Sequence, residues 1–310
     1  MEPKYVRSTA EKTRLHRFVI EVDEAAAIAR EWGVSTVAEL LPLLVPAAQR
    51  LARPPISNYR VGAVGLGSSG RIYLGVNLEF PGLPLHHSVH AEQFLVANAA
   101  SCDEAAILFI AVSAAPCGHC RQFLQEIRGA SEIQILVTSD ADAAAFRPLS
   151  HFLPCPFGPL DLLHKDFPLL LEPHDNHVRL LHPLASREAS KGVGRSVEDR
   201  LREAAEGAAR ASHAPYSRCL SGFAVADGEG KVYSGSYAES AAYNPSLGPV
   251  QAAIVAYVAA RGGTGEEGWD IVAAALVEKE AAAVAHEGTA RVFLAAVAPR
   301  AHLRVYGLRP

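Results

Sequence analysis

Two short motifs of the sequence carry side chains that could hold a metal ion. His90-Ala91-Glu92 is followed, 24 residues after the glutamate, by Pro116-Cys117-Gly118-His119-Cys120. One imidazole and two thiolates are zinc ligands, and a set of three leaves the fourth tetrahedral position free for water, as in catalytic sites. Zinc would lower the pKa of that water, and Glu92 could accept and return its proton. The pattern favours one catalytic Zn²⁺ per chain, held by His90, Cys117 and Cys120.

Each motif taken alone has other interpretations. The Cys-x-x-Cys pair could be a redox dithiol or half of a structural zinc site. His119, with His86 and His87 nearby, could close the coordination sphere, although His119 would point away from the helix face that the two cysteines share. Glu92 could simply complement a helix dipole. Three ligands and a carboxylate in one chain favour catalysis over these alternatives.

The elements around the motifs alternate between strands and helices. Two Ala- and Leu-rich helices are expected before residue 54, and a Gly-rich hairpin of two strands follows Tyr59. A helix within 89–100, a buried strand within 107–114 and a helix from Cys117 to Gly129 continue the pattern. Such alternation predicts an α/β fold with a mostly buried sheet. The cysteines would lie in the first turn of their helix, where the macrodipole stabilises thiolates.

The hairpin recurs in the second half of the chain. Five of its residues are repeated 160 positions later, namely Gly62, Gly70, Tyr73, Gly75 and Glu79. Because glycines at turns tolerate few replacements, the repeat predicts two copies of one fold. In the second copy Pro249 stands in place of the zinc-binding histidine and Gln251 in place of the glutamate, and no cysteine follows Cys219. We therefore expect the second copy to be non-catalytic.

The chain is expected to fall into four segments. They are an N-terminal helical segment at 1–48, a catalytic zinc domain at 49–163, a linker at 164–195 and a degenerate, non-catalytic domain at 196–310. The linker is rich in proline, histidine and charge without a sustained period. The G-x-G-x-x-G run at 65–70 leads into a strand and not a helix, so it is interpreted as a hairpin turn and not a phosphate-binding loop.

Composition and charge exclude several classes of protein. Apolar residues make up 49% and charged residues 20% of the chain, as in globular proteins. With 29 basic and 33 acidic residues the net charge is −4, so no surface for nucleic acid is expected. The sequence has no apolar run of the roughly 18 residues that a membrane span needs. Five cysteines without a secretory signal indicate reduced thiols. We expect a cytoplasmic protein.

Taken together, the motifs resemble the two-domain, dimeric cytidine deaminases of enteric bacteria and plants. The resemblance is carried by NLEF at 77–80, VHAEQ at 89–93, PCGHCRQF at 116–123, FGPLDLL at 157–163, and HAPYSRCLSG and SGSYAESAAYNPSLGPVQ in the second copy. The order H-x-E…P-C-x-x-C is the signature of zinc deaminases. The resemblance implies a duplicated three-layer α/β/α cytidine deaminase-like sandwich with an N-terminal helical segment.

The resemblance also implies which residues contact the substrate, with Glu92 as the proton shuttle. They are Asn77 and Glu79 at the ribose, Tyr59 and Phe157 at the base, Ala91 between the histidine and the glutamate, and Ala242 and Tyr243 from a partner chain. Tyr59 stands where the family has phenylalanine, so stacking would survive while the hydroxyl needs a partner.

The implied activity is hydrolytic deamination of cytidine, and of 2′-deoxycytidine, to the uridine nucleosides and ammonia in pyrimidine salvage. The implied form is a zinc-dependent homodimer whose pocket is completed by the partner chain. Two alternatives stay open at this point. One is a deaminase of a nucleotide or of cytosine in a polynucleotide, and the other is a non-catalytic, zinc-stabilised scaffold dimer.

Overall fold

The structure is a computed structural model that describes residues 17–139, 145–178, 180–181, 195–262 and 268–309. Parts of the expected N-terminal segment and linker, 1–16 and 182–194, lie outside these ranges. The chain divides into two compact units. The first comprises Met1–Asp161 and Val258–Glu267, and the second Leu162–Tyr257 and Gly268–Pro310.

The first unit is built on a mixed sheet with the strand order β1-β3-β2-β4-β5-β6. Its described elements are β1 (Val19–Ile20), α1 (Val22–Glu31), α2 (Val37–Arg50), β2 (Gly62–Gly67), β3 (Ile72–Val76), α3 (Ala91–Ala100), β4 (Ile107–Val112), α4 (Gly118–Phe123), β5 (Gln134–Val137), β6 (Arg147–Pro148), α5 (Leu149–Phe152) and α6 (Pro159–Leu162). Strands β4 and β5 are parallel, and the other pairs are antiparallel.

Two glycines bring helices close to opposite faces of this sheet. A Cβ at Gly62 would clash with the backbone of α2 at Gln49, and a Cβ at Gly75 would clash with the backbone of α3 at Ala91. Gly62 pairs with Val76 and Ala63 with Gly75, so the two glycines lie on opposite faces because side chains alternate along a strand. The first unit therefore has three layers, α/β/α.

The second unit is built on a smaller sheet with the order β10-β9-β7-β8. Its described elements are α7 (Val197–Arg210), β7 (Ser221–Asp227), β8 (Val232–Ser236), α8 (Pro249–Arg261, assigned to this unit up to Tyr257), β9 (Ile271–Lys279), α9 (Glu287–Val297) and β10 (His302–Leu308). Strands β9 and β10 are parallel. Gly222 and Gly235 permit the same close approach to α7 and α8 that the matching glycines permit in the first unit.

The two hairpins have the same strand register, which confirms the predicted duplication. In the first hairpin Gly62 pairs with Val76, and in the second Gly222 pairs with Ser236. At the turns, Gly70 and Gly230 both have positive φ, 88° and 79°, a backbone region that side chains with a Cβ rarely adopt. The shared glycines are therefore explained by shared backbone geometry.

One buried hydrogen bond is made differently in the two copies. The hydroxyl of Tyr73 donates to Oε2 of Glu104 at 2.9 Å, whereas the hydroxyl of Tyr233 donates to Oδ2 of Asp227 at 2.7 Å. Asp227 occupies the position of Gly67 in the first copy, and a Cβ at Gly67 would clash with the Glu104 carboxylate. The buried hydroxyl groups of the two tyrosines thus donate to carboxylates from different parts of the chain.

The helices differ from the sequence-based expectation mainly in length. The helix that begins after Cys117 was expected to continue to Gly129, but α4 ends at Phe123 and is followed by a 3₁₀ turn at Leu124–Glu126. All three residues of that turn are buried, and 3₁₀ turns are frequent at the ends of α-helices. None of the described helices is long and apolar enough to span a membrane.

Candidate active site

The three predicted metal ligands lie at the starts of two helices. His90 is the N-cap residue of α3, and Cys117 is the N-cap residue of α4. Cys120 lies in the first turn of α4 and is buried. Both caps have extended backbone conformations, so neither ligand depends on the interior of a helix for its orientation.

The donor atoms of the three residues have the spacing that zinc requires. Sγ of Cys117 lies 3.4 Å from Nδ1 of His90 and 3.7 Å from Sγ of Cys120, and Sγ of Cys120 lies 3.3 Å from Nδ1 of His90. Tetrahedral zinc, with bonds of about 2.3 Å to sulfur and about 2.0 Å to nitrogen, would separate two sulfurs by about 3.8 Å and sulfur from nitrogen by about 3.5 Å. Among the described residues, this is the group of His, Cys, Asp or Glu side chains that could hold a metal ion.

The charges of the site also favour a bound cation. Interactions with Cys120 and His90 lower the pKa of Cys117 to about 3. The same interaction with Cys117, together with burial, raises the pKa of Cys120. One thiolate therefore opposes the ionisation of the second when no cation is present. A divalent cation removes that opposition and allows both sulfurs to bind as thiolates.

Glu92 lies beside the ligands and is almost completely buried, with 5% of its surface exposed. Burial raises the pKa of its carboxyl group, while a hydrogen bond with Cys120 and the charge of His90 oppose that shift. A carboxyl group whose pKa moves towards neutrality can both accept and donate a proton at working pH. The environment of Glu92 thus suits a proton shuttle.

His119 does not join the ligand group. Its ring stacks against the ring of His90 with the centroids 5.1 Å apart. Burial and the neighbouring His90 lower the pKa of His119. Within the described part of the chain no fourth His, Cys, Asp or Glu atom completes the group, so the geometry fits three protein ligands better than a closed structural site.

A cavity of about 320 Å³ opens beside the three ligands, a volume in the range of small-molecule sites. It brings together five residues that the sequence analysis assigned to substrate binding or catalysis: Tyr59, Asn77, Glu79, Ala91 and Glu92. The other lining residues are Ser57, Val61, Ser88, Val89, His90, Ala114, Ala115 and Cys117. The lining is therefore assembled from the hairpin, its preceding loop, the start of α3 and the segment before α4.

Asn77 and Glu79 hold the loop that precedes the hairpin. Oδ1 of Asn77 accepts a hydrogen bond from the amide of Val61 at 2.9 Å, and Nδ2 donates to the carbonyl of Tyr59 at 2.9 Å. The carboxylate of Glu79 accepts from the amides of Ile56 and Ser57 at 2.9 and 2.8 Å. Both side chains therefore fix the part of the loop that carries Tyr59.

Ser57 is the residue of this loop that the sequence analysis missed. Its hydroxyl donates to Oε1 of Glu79 at 2.6 Å. The available signal was the repeat itself, because Ser217 and Glu239 stand 160 residues after Ser57 and Glu79. In the second copy the amide of Ser217 donates to Glu239 at 3.1 Å, and its hydroxyl donates to the same carboxylate.

In the described part of the chain, no lysine or arginine lines the pocket. Arg60, which is close in sequence to Tyr59, donates to the carbonyls of Arg50 and Ala52 at 2.8 and 3.1 Å. Arg121 donates to two other carbonyls, those of Pro116 and Phe152. The guanidinium groups nearest in sequence are thus used to hold backbone.

Three predicted substrate contacts are not among the lining residues. Phe157 is 47% exposed, and its carbonyl accepts a hydrogen bond from Gln122. Ala242 and Tyr243 belong to the second unit, where Tyr243 is 68% exposed with a φ of 62°. The roles of these residues stay predictions.

Comparison with known proteins gives two matches to family models. Residues 35–137 and 149–291 each match a model described as the cytidine and deoxycytidylate deaminase zinc-binding region. Cytidine deaminase 1 of Arabidopsis thaliana is 54% identical over 300 residues, covering 93% of this chain and 97% of the relative. The chain belongs to the cytidine and deoxycytidylate deaminase family.

Another curated relative matches most of the chain, and a solved structure matches a smaller part of it. Cytidine deaminase of Pectobacterium atrosepticum is 38% identical over 277 residues, covering 89% of this chain and 85% of the relative. A solved structure of cytidine deaminase from Mycobacterium tuberculosis is 31% identical and covers 39% of this chain and 96% of that one, with a TM-score of 0.35.

The second deaminase copy differs from the first at the position of Asn77. Tyr237 takes this position and is buried, with its ring in edge contact with the ring of His286 at 4.3 Å between centroids. Burial lowers the pKa of His286 to about 4, so this imidazole is neutral near pH 7. Two neutral aromatic groups therefore occupy a part of the second copy that carries a polar amide in the first.

Proposed function

We propose that this deaminase hydrolyses cytidine and 2′-deoxycytidine to uridine and deoxyuridine, with release of ammonia. The observation that carries the proposal is the tetrahedral spacing of His90, Cys117 and Cys120 beside the buried carboxyl group of Glu92. The relatives from Arabidopsis thaliana and Pectobacterium atrosepticum are named cytidine deaminases, which supports the same activity here.

The proposed mechanism assigns the proton transfers to Glu92. Zinc held by His90, Cys117 and Cys120 supplies the Lewis acidity that makes water a nucleophile near neutral pH. Glu92 takes a proton from the attacking water and delivers it to N3 of the pyrimidine. After attack at C4, Glu92 takes the second proton and passes it to the departing amine, so that one carboxyl group serves as base and then as acid.

Asn77 and Glu79 keep hydrogen-bonding capacity for the ribose. A carboxylate has about four lone-pair sites, and Glu79 uses three of them on the amides of Ile56 and Ser57 and on the Ser57 hydroxyl. Oδ1 of Asn77 accepts one bond, from Val61, and a carbonyl oxygen has two lone pairs. Each side chain can therefore hold the loop and accept a hydrogen bond from a sugar hydroxyl.

The lining favours a nucleoside over a nucleotide or a polynucleotide. A phosphate group needs cationic partners, and no lysine or arginine is found among the described residues that line the pocket. Tyr59 is 60% exposed at the pocket, so its ring is available to stack on an uncharged base. The same fit of ligands, carboxyl group and pocket argues against a purely structural zinc scaffold.

The proposal extends to assembly, domains and location. Residues 49–163 form the catalytic domain and residues 196–310 the non-catalytic one, with a helical segment at 1–48 and a linker at 164–195. Two chains associate as a homodimer in the cytoplasm, where Ala242 and Tyr243 of one chain and Phe157 of the other complete the pocket for pyrimidine salvage. Light scattering tests the dimer, whose mass should be about twice the 33.0 kDa of one chain.

The activity is tested by following the loss of cytidine absorbance with the zinc-loaded protein. Cytidine and deoxycytidine should be turned over, while cytidine 5′-monophosphate and a short cytosine-containing single-stranded DNA should neither be deaminated nor compete. Turnover of the nucleotide or the DNA in preference to cytidine would support the corresponding alternative. Absence of turnover by protein with one zinc per chain would instead support a scaffold.

A further inference from the structure

A second cavity, of about 350 Å³, lies in the second unit. It opens where the parallel strands β9 and β10 end, since Lys279 is the last residue of β9 and Leu308 the last of β10. Ligands of open α/β sheets bind in crevices at the carboxyl ends of parallel strands. Arg218 and Leu220, which precede β7, contribute a further wall. The place of this cavity in the fold is thus one where ligands commonly bind.

The cavity is positively charged although the chain as a whole is negatively charged. Arg218, Lys279 and Arg309 line it, and none of the other described lining residues is an aspartate or glutamate. Arg218 and Lys279 make no side-chain hydrogen bond or ion pair with any described residue, and Arg309 makes one long bond, 3.4 Å, to the carbonyl of Leu181. The nearby Asp175 lies 3.4 Å from Nδ1 of His177. The three cations are therefore available to an anion.

The backbone of Arg218 indicates that the side chain has a use. Arg218 has a φ of 57°, and so does Asn58, which occupies the same turn in the first copy. The same backbone hydrogen bond closes both turns, from Asn58 to Pro54 at 2.9 Å and from Arg218 to Ala214 at 3.1 Å. Asparagine adopts this left-handed conformation readily, whereas a long side chain does so rarely. Arginine at this position holds a strained backbone conformation, and binding of a charged ligand by its side chain would explain why arginine is found there.

We propose that this cavity binds a small organic phosphate. Arginine and lysine together form the usual recognition group for phosphate, the arginine through paired N–H donors and the lysine as a point charge. Val178, Leu220 and Leu308 supply apolar surface for the body of the ligand. Among the described residues that line the cavity there is no Phe, Tyr or Trp side chain on which a nucleobase could stack, so the proposed ligand is of the sugar phosphate kind.

The binding test uses isothermal titration calorimetry on the full zinc-loaded chain with ribose 5-phosphate as the probe. Ribose 5-phosphate should bind, ribose should not, and inorganic phosphate should bind more weakly because it has no body to contact the apolar surface. Binding should weaken as salt is added. Failure of ribose 5-phosphate to bind overturns the proposal, and equal affinity for inorganic phosphate overturns the role of the apolar residues.

Variants connect the binding to the cavity. Arg218→Asn restores the residue that the first copy has in the same turn, so the variant should fold, turn over cytidine normally and bind ribose 5-phosphate at least about 10-fold more weakly. Lys279→Gln provides a second variant with the same expected loss. Arg300→Asn is the control, because Arg300 is exposed in the same unit and does not line the cavity. Unchanged binding by both cavity variants, or an equal loss in the control, contradicts the proposal.

Discussion

The hydroxyl of Ser57 lies 2.6 Å from Oε1 of Glu79, and the same hydroxyl accepts a hydrogen bond from the amide of Tyr59 at 3.0 Å. Ser57 therefore connects a residue expected at the ribose with a residue expected at the base. The corresponding contacts in the second copy, between Ser217, Glu239 and the amide of Cys219, show that this loop shape is a property of the fold. In the first copy it also sets the position of Tyr59.

Replacing Ser57 by alanine should impair substrate binding more than the chemical step. Ser57→Ala removes one hydrogen bond to a charged group, so KM for cytidine should rise about 10-fold while kcat changes little. Steady-state kinetics separates the two parameters. Ser217→Ala removes the matching bond in the second copy and should leave KM near normal. A fall in kcat as large as the rise in KM would contradict a purely positioning role.

Glu92→Gln should abolish most of the turnover without removing the metal. Glutamine keeps the size of the side chain but cannot carry the proton, so kcat should fall by at least about 100-fold. Zinc analysis should still give one ion per chain, because Glu92 is not a ligand in the proposed centre. Near-normal turnover in this variant would rule out the assigned proton shuttle.

Cys117→Ala should lose both the zinc and the activity. The variant leaves one sulfur and one imidazole, which is too few for a stable zinc site in a protein. Metal content and cytidine turnover measure the two effects together. Cys155→Ala is the matched control, since Cys155 is an exposed free thiol outside the ligand group. Full zinc occupancy in Cys117→Ala would mean that Cys117 is not a ligand.

The buried Glu104 should make the stability of the first unit depend on pH in acid. Burial opposes ionisation, but hydrogen bonds from Ser69, Ser68 and Tyr73 outweigh it and lower the pKa of Glu104 to about 2. A carboxyl group has a pKa of about 4.3 in an unfolded chain. The stabilisation is therefore complete above about pH 4.3 and is lost as the pH falls towards 2.

Glu104→Gln tests this dependence. The variant should lower the free energy of unfolding at pH 7 by roughly 1–3 kcal/mol, because hydrogen bonds to a charged acceptor are lost. Urea unfolding at pH 7 and at about pH 3 should show a smaller difference for the variant than for the original chain. Glu31→Gln, an exposed glutamate on α1, is the control. The same acid dependence in Glu104→Gln as in the original chain would exclude Glu104 as its source.

The candidate metal ligands and the repeated hairpin could be predicted from the sequence because both depend on residue types at fixed spacing. Three side chains that could bind zinc and five repeated residues are visible without knowledge of the fold. The role of Ser57 was missed, because its partner Glu79 comes from a different segment and serine is common in loops; only the recurrence of both residues 160 positions later pointed to it. The end of α4 at Phe123 was also missed, because the helical composition continues beyond this residue. The change from α-helix to a 3₁₀ turn there depends on the burial of the turn, which composition does not show.

The two ways of satisfying Tyr73 and Tyr233 limit how freely the two halves of the chain can be recombined. A chimera that carried the β7–β8 hairpin in the first unit would bring in an aspartate at the site of Gly67, directly against the Glu104 carboxylate. The reverse graft would bring in a glycine and remove the carboxylate that Tyr233 requires. Despite their common register, the halves have diverged into versions that are no longer interchangeable at this hairpin.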